Sequence, residues 1–220
     1  MKKINKNFII GGCLFFVFII FTILVKFVDV QAIGPIGSKV GLAGLNELYL
    51  VKTSSTLWDN ISDIIMAISL LVACLFVVIG IAQWVHRKKF KEIDRNIFIM
   101  AGLYIAIIVV YVFFEVVVVN NRPILEKGEL VASFPSSHVL ISVSILFSAL
   151  IQAHKYYITS NKLMFFVDIA ISILTVTLVI SRILSGVHWI TDIIGSLLIS
   201  GALVFIHNGL LDVLMKKNRE

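Results

Sequence analysis

The run 96–118, NIFIMAGLYIAIIVVYVFFEVVV, leads directly into Val119-Asn120-Asn121-Arg122-Pro123. From Ile97 to Val118 the only charged residue is Glu115. At about 1.5 Å per residue a helix of this length crosses a hydrocarbon layer of about 30 Å. A bilayer offers no water to unpaired amides, so a run of this kind predicts a helix. Working outward, five further apolar runs fall at 8–28, 62–85, 138–153, 163–181 and 188–211. The prediction is an all-α membrane protein, a six-transmembrane-helix bundle forming one domain over 1–220. The run 138–153 is short for a span, which argues that Pro135 and the preceding loop begin that helix. Asp168, inside the fifth run, reads as a polar contact between helices.

Composition supports this class. Hydrophobic residues make up 59% of the 220 and charged residues 15%, against roughly a quarter charged in soluble domains. The mean hydropathy is +1.02. Six spans of about 20 residues leave loops too short for a second soluble domain. Cys13 and Cys74 stand in separate apolar runs without a CxxC spacing, so they read as small core hydrophobes and imply neither a disulfide framework nor zinc.

Basic residues orient the bundle. Lys2, Lys3 and Lys6 precede the first run, Arg87, Lys88, Lys89, Lys91 and Arg95 join the second to the third, Lys155 and Lys162 lie between the fourth and fifth, and Lys216, Lys217 and Arg219 follow the sixth. In an even-numbered bundle these segments share one side, which the positive-inside rule makes cytoplasmic, with both termini. The net charge of +6 is then a topology signal, and no basic stripe interleaved with aromatics points to nucleic acid. A cleaved signal peptide ending near Val30-Gln31-Ala32 is the rival reading of the start. The stretch from Phe8 to Val25 exceeds the usual h-region, which favours a retained span. Residues 31–61 form the longest outer segment, with Leu42, Leu45, Leu48 and Tyr49 spaced for an interfacial helix that covers or gates the outer face. Trp58, Trp84 and Trp189 near span ends read as an interfacial aromatic belt.

Three polar clusters interrupt the oily chain at the outer ends of these spans: Asn120 to Pro123, Pro135-Ser136-Ser137-His138, and Ser181-Arg182 followed by His188 and Asp192. Ionisable residues at membrane depth are costly, so such clusters are functional-site candidates. His188 and Asp192 are one helical turn apart. A carboxylate there fixes the imidazole tautomer and leaves the other ring nitrogen free as base or nucleophile. Alone, the pair is as well explained as an ordinary i,i+4 contact. Arg122 and Arg182 without a balancing group of acids turn it into an anion site, because guanidinium forks suit phosphoryl oxygens. Pro135-Ser136-Ser137-His138 reads as a helix start whose free amides and Ser136 hydroxyl add donors, with His138 available as a general acid. His207 and Asp212 fall near the cytoplasmic end, away from these clusters.

These residues resemble the signature of the type 2 phosphatidic acid phosphatase family, integral-membrane relatives of bacterial acid phosphatases and vanadium haloperoxidases: Lys-x6-Arg-Pro, Pro-Ser-Gly-His and Ser-Arg-x5-His-x3-Asp. Ser181, Arg182, His188 and Asp192 match the third part at every specified position, and Pro135, Ser136 and His138 match the second, with Ser137 in place of glycine. Arg122 and Pro123 match the first, but Glu115 replaces its lysine. The resemblance covers 115–192 directly. It implies a phosphatase without metal or other cofactor, acting through a phosphohistidine. His188 attacks phosphorus, Asp192 orients it, and His138 protonates the leaving group. Arg122, Arg182, Ser136 and the Ser137 amide hold the phosphoryl oxygens. Glu115, which repels a phosphate by about 1 to 4 kcal/mol at contact range unless paired or protonated, and Lys127, a nearby replacement cation, are the expected modulators. The expected function is a lipid phosphate phosphatase of the cytoplasmic membrane. Its substrate is a lipid of the undecaprenyl diphosphate, phosphatidylglycerol phosphate or phosphatidic acid type, cleaved at the outer leaflet. The alternatives are a lipid phosphotransferase using the same intermediate and a non-catalytic lipid-phosphate-binding protein. The bilayer and the lipid substrate are the only partners implied; no oligomeric state is.

Overall fold

The computed structural model describes residues 5–51 and 54–217. Lys2, Lys3, Lys52 and Arg219, part of the charge count above, lie outside them. Six helices are long and apolar enough to cross a membrane: α1 (Lys6–Phe27), α3 (Thr56–Arg87), α4 (Arg95–Val116), α5 (Ser137–Gln152, extended by a π turn to Tyr157), α6 (Asn161–Leu184) and α7 (Ile190–Lys217). A short α2 (Ala43–Tyr49) lies between α1 and α3. The six predicted runs are all found, and the chain is a multi-pass membrane protein.

Helices α5 and α7 form the centre. In their most apolar windows 56% and 44% of residues are buried within the protein, against 17% in α1 and 11% in α6. The hydroxyls that mark α5 and α7 explain this. Ser142, Ser144, Ser148, Ser196 and Ser200 are all buried, and Ser200 Oγ donates to the Leu140 carbonyl at 3.2 Å. Small residues let membrane helices approach closely where apolar burial offers no preference over lipid. Helix α7 also packs against α1 and α4, while α5 meets α3, α6 and α4. Helix α1 packs closely along α7 at one glycine. A Cβ on Gly11 would stand 2.8 Å from the Ile206 side chain and 3.1 Å from the Ala202 carbonyl, whereas one on Gly12 would meet nothing within 4 Å.

At the end of the bundle away from the polar clusters, Lys155 pairs with Asp212, which also accepts from Asn5 and Asn7. Asp168 accepts from His154 at 2.8 Å, the interhelical polar contact expected of it. Residues 28–42 fold back as a small hairpin bridged between Gln31 and Val40, and α2 follows with Leu45, Leu48 and Tyr49 exposed while Asn46 is buried.

Several expectations need correction. Helix α3 begins at Thr56, not near 62, because its first two turns are polar and extend past the apolar run. Helix α5 starts at Ser137, so Pro135 precedes the N-cap. His188 lies in the turn before α7 and does not open it. Cys13 and Cys74 are exposed on apolar helix faces and belong to no core. Trp189 is no belt residue: it is 1% exposed, and its indole Nε1 donates to the Asn121 carbonyl at 2.7 Å. Buried tryptophan of this kind finds a partner for its N–H.

Gly11→Val forces α1 away from α7, and overpacking of this type costs about 1–3 kcal/mol. The thermal midpoint in detergent should fall for Gly11→Val and stay within a degree or two for Gly12→Val; equal midpoints would show that the α1–α7 contact is not tight.

Candidate active site

The last turn of α6 holds Ser181 and Arg182, and a tight turn through Gly186, at φ +68°, reverses the chain into α7. His188 and Asp192 flank the start of α7, both buried. His188 Nδ1 lies 3.2 Å from Asp192 Oδ2. The same carboxylate oxygen accepts the Trp189 amide at 2.9 Å and the Ser133 hydroxyl. A carboxylate with that set of donors holds the Nδ1–H tautomer and leaves the Nε2 lone pair free. His188 Nε2 is buried and has no partner among the described residues. Burial, then the charges of Arg182 and Arg122, hold this imidazole well below its ordinary value, so it is neutral.

Asp192 also ties the first turn of α5 to α7. Its backbone carbonyl accepts the Ser136 amide at 3.2 Å, and Ser196 Oγ donates to the Asp192 and Ser136 carbonyls at 2.8 and 2.9 Å. Ser136 is the N-cap of α5, yet its side chain caps nothing, and its buried Oγ is unpartnered. Ser137, at the first helical position, lines one small cavity with Tyr111, Glu115, Arg122, Ser133 and His188.

Both arginines reach the site, with acids behind them. Arg182 is 1% exposed, and one terminal nitrogen donates to Asp59 at 2.6 Å and to Ser62 Oγ at 2.9 Å. Arg122 pairs with Glu126 at 3.0 Å and not with Glu115. The backbone pairing of 121 with 132 carries it back along the chain toward Ser133. The Nε atoms of both guanidiniums are buried and unpartnered. The expected lack of balancing acids is therefore corrected: Asp59, Asp63 and Glu126 accompany the cations. His138 Nε2 lies 2.7 Å from Asp63 Oδ1, and its Nδ1 is buried without a partner. Lys127 occupies the exposed left-handed tip of the 126–129 turn and does not line the cavity, whereas Glu115 does.

Sequence reasoning missed Asp59, Asp63, Ser133 and Asn46. The two acids one turn apart at the start of an apolar run were a visible signal, lost by starting that helix at 62, between them. Ser133 and Asn46 carried none. Asn46 Oδ1 accepts the Thr191 amide at 3.2 Å in the first turn of α7, its Nδ2 donates to the Gly41 carbonyl, and the Gly41 amide donates to Asn120 Oδ1. No group of three or more His, Cys, Asp or Glu side chains among the described residues is arranged to hold a metal ion.

Residues 119–212, which contain Arg122, His138, Arg182, His188 and Asp192, match the model of the PAP2 superfamily. No curated protein matches the sequence at a significant level. The crystal structure of a transmembrane PAP2 type phosphatidylglycerolphosphate phosphatase from Bacillus subtilis shares the fold, with 20% identity, 92% of this chain and 96% of that chain covered, and a TM-score of 0.57. Residues 119–212 thus carry the pattern of the PAP2 superfamily, within a multi-pass membrane fold.

Proposed function

We propose that this protein is a lipid phosphate phosphatase that cleaves a phosphomonoester or diphosphate headgroup through a phosphohistidine on His188. One observation carries the reading. The unpartnered Nε2 of His188, the Nε atoms of Arg122 and Arg182, and the Ser136 hydroxyl are buried polar atoms without protein partners, gathered from four segments. Buried polar groups are ordinarily satisfied, and a phosphate supplies acceptors for every donor in this set and an electrophile for the lone pair.

In the first step the Nε2 lone pair forms a bond to phosphorus as the bond to the lipid oxygen breaks. That oxygen keeps the electron pair and takes a proton from His138. In the second step water attacks phosphorus, gives a proton to His138, and the N–P electron pair returns to His188 as phosphate leaves. Asp192 holds the ring throughout, and Arg122, Arg182, Ser136 and the Ser137 amide hold the oxygens. Such chemistry needs mainly positioning and charge stabilisation. The helix ends that bear these groups suit a substrate whose tail stays in the bilayer, and the charge bias of the loops supports a site at the outer leaflet of the cytoplasmic membrane. A phosphatidylglycerol phosphate, phosphatidic acid or polyprenyl diphosphate substrate fits the site. Glu115 lies on the cavity wall and weakens the hold on a dianion; Lys127, outside it, adds no cation there.

Purified protein should release phosphate from at least one of these lipids, with His188→Ala slower by about a thousandfold or more. Acid-labile phosphate should be trapped on wild type and not on the variant. Release of phosphate from none of them would overturn the reading, and a new phosphoester in place of free phosphate would make it a transferase.

Removing the acid from the cavity wall should tighten phosphate. Glu115→Gln should lower the inhibition constant of inorganic phosphate by about tenfold, equivalent to about 1.4 kcal/mol. A rise would show that Glu115 serves the site by holding one of its cations.

A further inference from the structure

The first turns of α3 lie at the entrance of the site and carry two acids on one face. Asp59 faces Arg182 and Asp63 faces His138. Each acid takes a different group: Asp59 Oδ1 is 2.6 Å from the guanidinium, and Asp63 Oδ1 is 2.7 Å from the imidazole Nε2. The side chain of Asp63 is 58% exposed and that of His138 13%. A pair with one partner so open to solvent adds little to stability. Its consequence lies in the state of the ring. A carboxylate accepting from Nε2–H fixes that tautomer and supports the ring when it carries a second proton. Proton exchange is then left to Nδ1, which is buried and unpartnered. Besides Asp63, the charged groups near His138 are Arg182 and Asp59, which pair with one another.

Resting on the phosphatase reading above, we propose that Asp63 is a positioning residue for the proton-transfer steps, holding Nε2–H of His138 so that Nδ1 gives its proton to the departing lipid oxygen and takes one from the attacking water. The site then contains two carboxylate–imidazole pairs of opposite purpose. Asp192 holds His188 by Nδ1 and leaves Nε2 to attack phosphorus, while Asp63 holds His138 by Nε2 and leaves Nδ1 to move protons. Asp63 touches no phosphoryl oxygen in this scheme. Its effect scales with how badly the leaving oxygen needs a proton: an alkoxide requires one, and a nitrophenolate departs without it.

The test compares kcat/KM for an alkyl phosphate, such as a short-chain phosphatidic acid, with kcat/KM for p-nitrophenyl phosphate in the full-length protein. This parameter reports steps up to formation of the phosphoenzyme and leaves out its hydrolysis. In Asp63→Asn the alkyl-to-aryl ratio should fall by about tenfold or more, within the range expected for impaired general acid catalysis, and Asp63→Glu should recover most of it. Aryl phosphate turnover in each variant shows that the protein is folded. A ratio equal to that of wild type in Asp63→Asn overturns the proposal, including the case in which both substrates slow equally, since that is what a purely structural role produces. Wild type that cleaves neither substrate removes the phosphatase reading, and this proposal with it.

Discussion

The carboxylate of Asp192 connects the parts of this molecule that the chain keeps far apart. One oxygen takes the imidazole of His188, the Trp189 amide and the Ser133 hydroxyl, while the backbone carbonyl of the same residue takes the Ser136 amide. The loop before α5, the N-cap of α5 and the first turn of α7 are thereby fixed to one another. Burying a carboxylate is costly unless it is hydrogen-bonded; Oδ2 carries all of these side-chain contacts, while Oδ1 is buried without a partner among the described residues, so the residue that orients the histidine favours the convergence of these segments. Gly195, one turn further along α7, makes the approach feasible: a Cβ there would stand 2.4 Å from the Phe134 ring.

A second layer holds that convergence from the side of the segment between α1 and α3. Asn46 and Asn120 are both buried; the Asn46 side chain links Thr191 to Gly41, the Asn120 side chain accepts from Gly41, and the Asn120 backbone carbonyl accepts the Ser133 amide. Buried polar networks specify an arrangement through the contacts they make; here Asn120 Nδ2 alone of the two side-chain amides is left without a partner among the described residues. The segment between α1 and α3 thus supports the site, while its Leu45, Leu48 and Tyr49 are exposed, as an interfacial helix would require.

The charges around the site follow a consistent logic. Arg182 is almost wholly buried, and an unpaired guanidinium at that depth would be expensive. Asp59 and Ser62 occupy one end of it and leave Nε open. Glu126 does the same for Arg122. Each arginine is anchored at one edge of its fork while its Nε has no partner among the described residues, an arrangement that suits the phosphate-binding role proposed for it. Glu115 stands apart from this scheme: it lines the same cavity as Arg122 and His188, on the last turn of α4.

Much of this was legible in the linear chain. The six apolar runs, the polar clusters at their ends and the identity of Arg122, Ser136, His138, Arg182, His188 and Asp192 as candidates depend on local hydropathy, helical period and residue chemistry, which neighbours in sequence suffice to define. The partners of those residues were not legible. That Asp59 and Asp63 reach Arg182 and His138 across more than seventy positions, that Ser133 completes the His188–Asp192 pair and that Trp189 is buried while Cys13 and Cys74 are not all depend on how separate helices and the loops between them turn toward one another. In a bilayer both the lipid and the protein interior are apolar, so hydropathy marks where a helix lies but says little about which face it buries. That choice is made by small residues and satisfied polar contacts between helices, and these exist only once the bundle has formed.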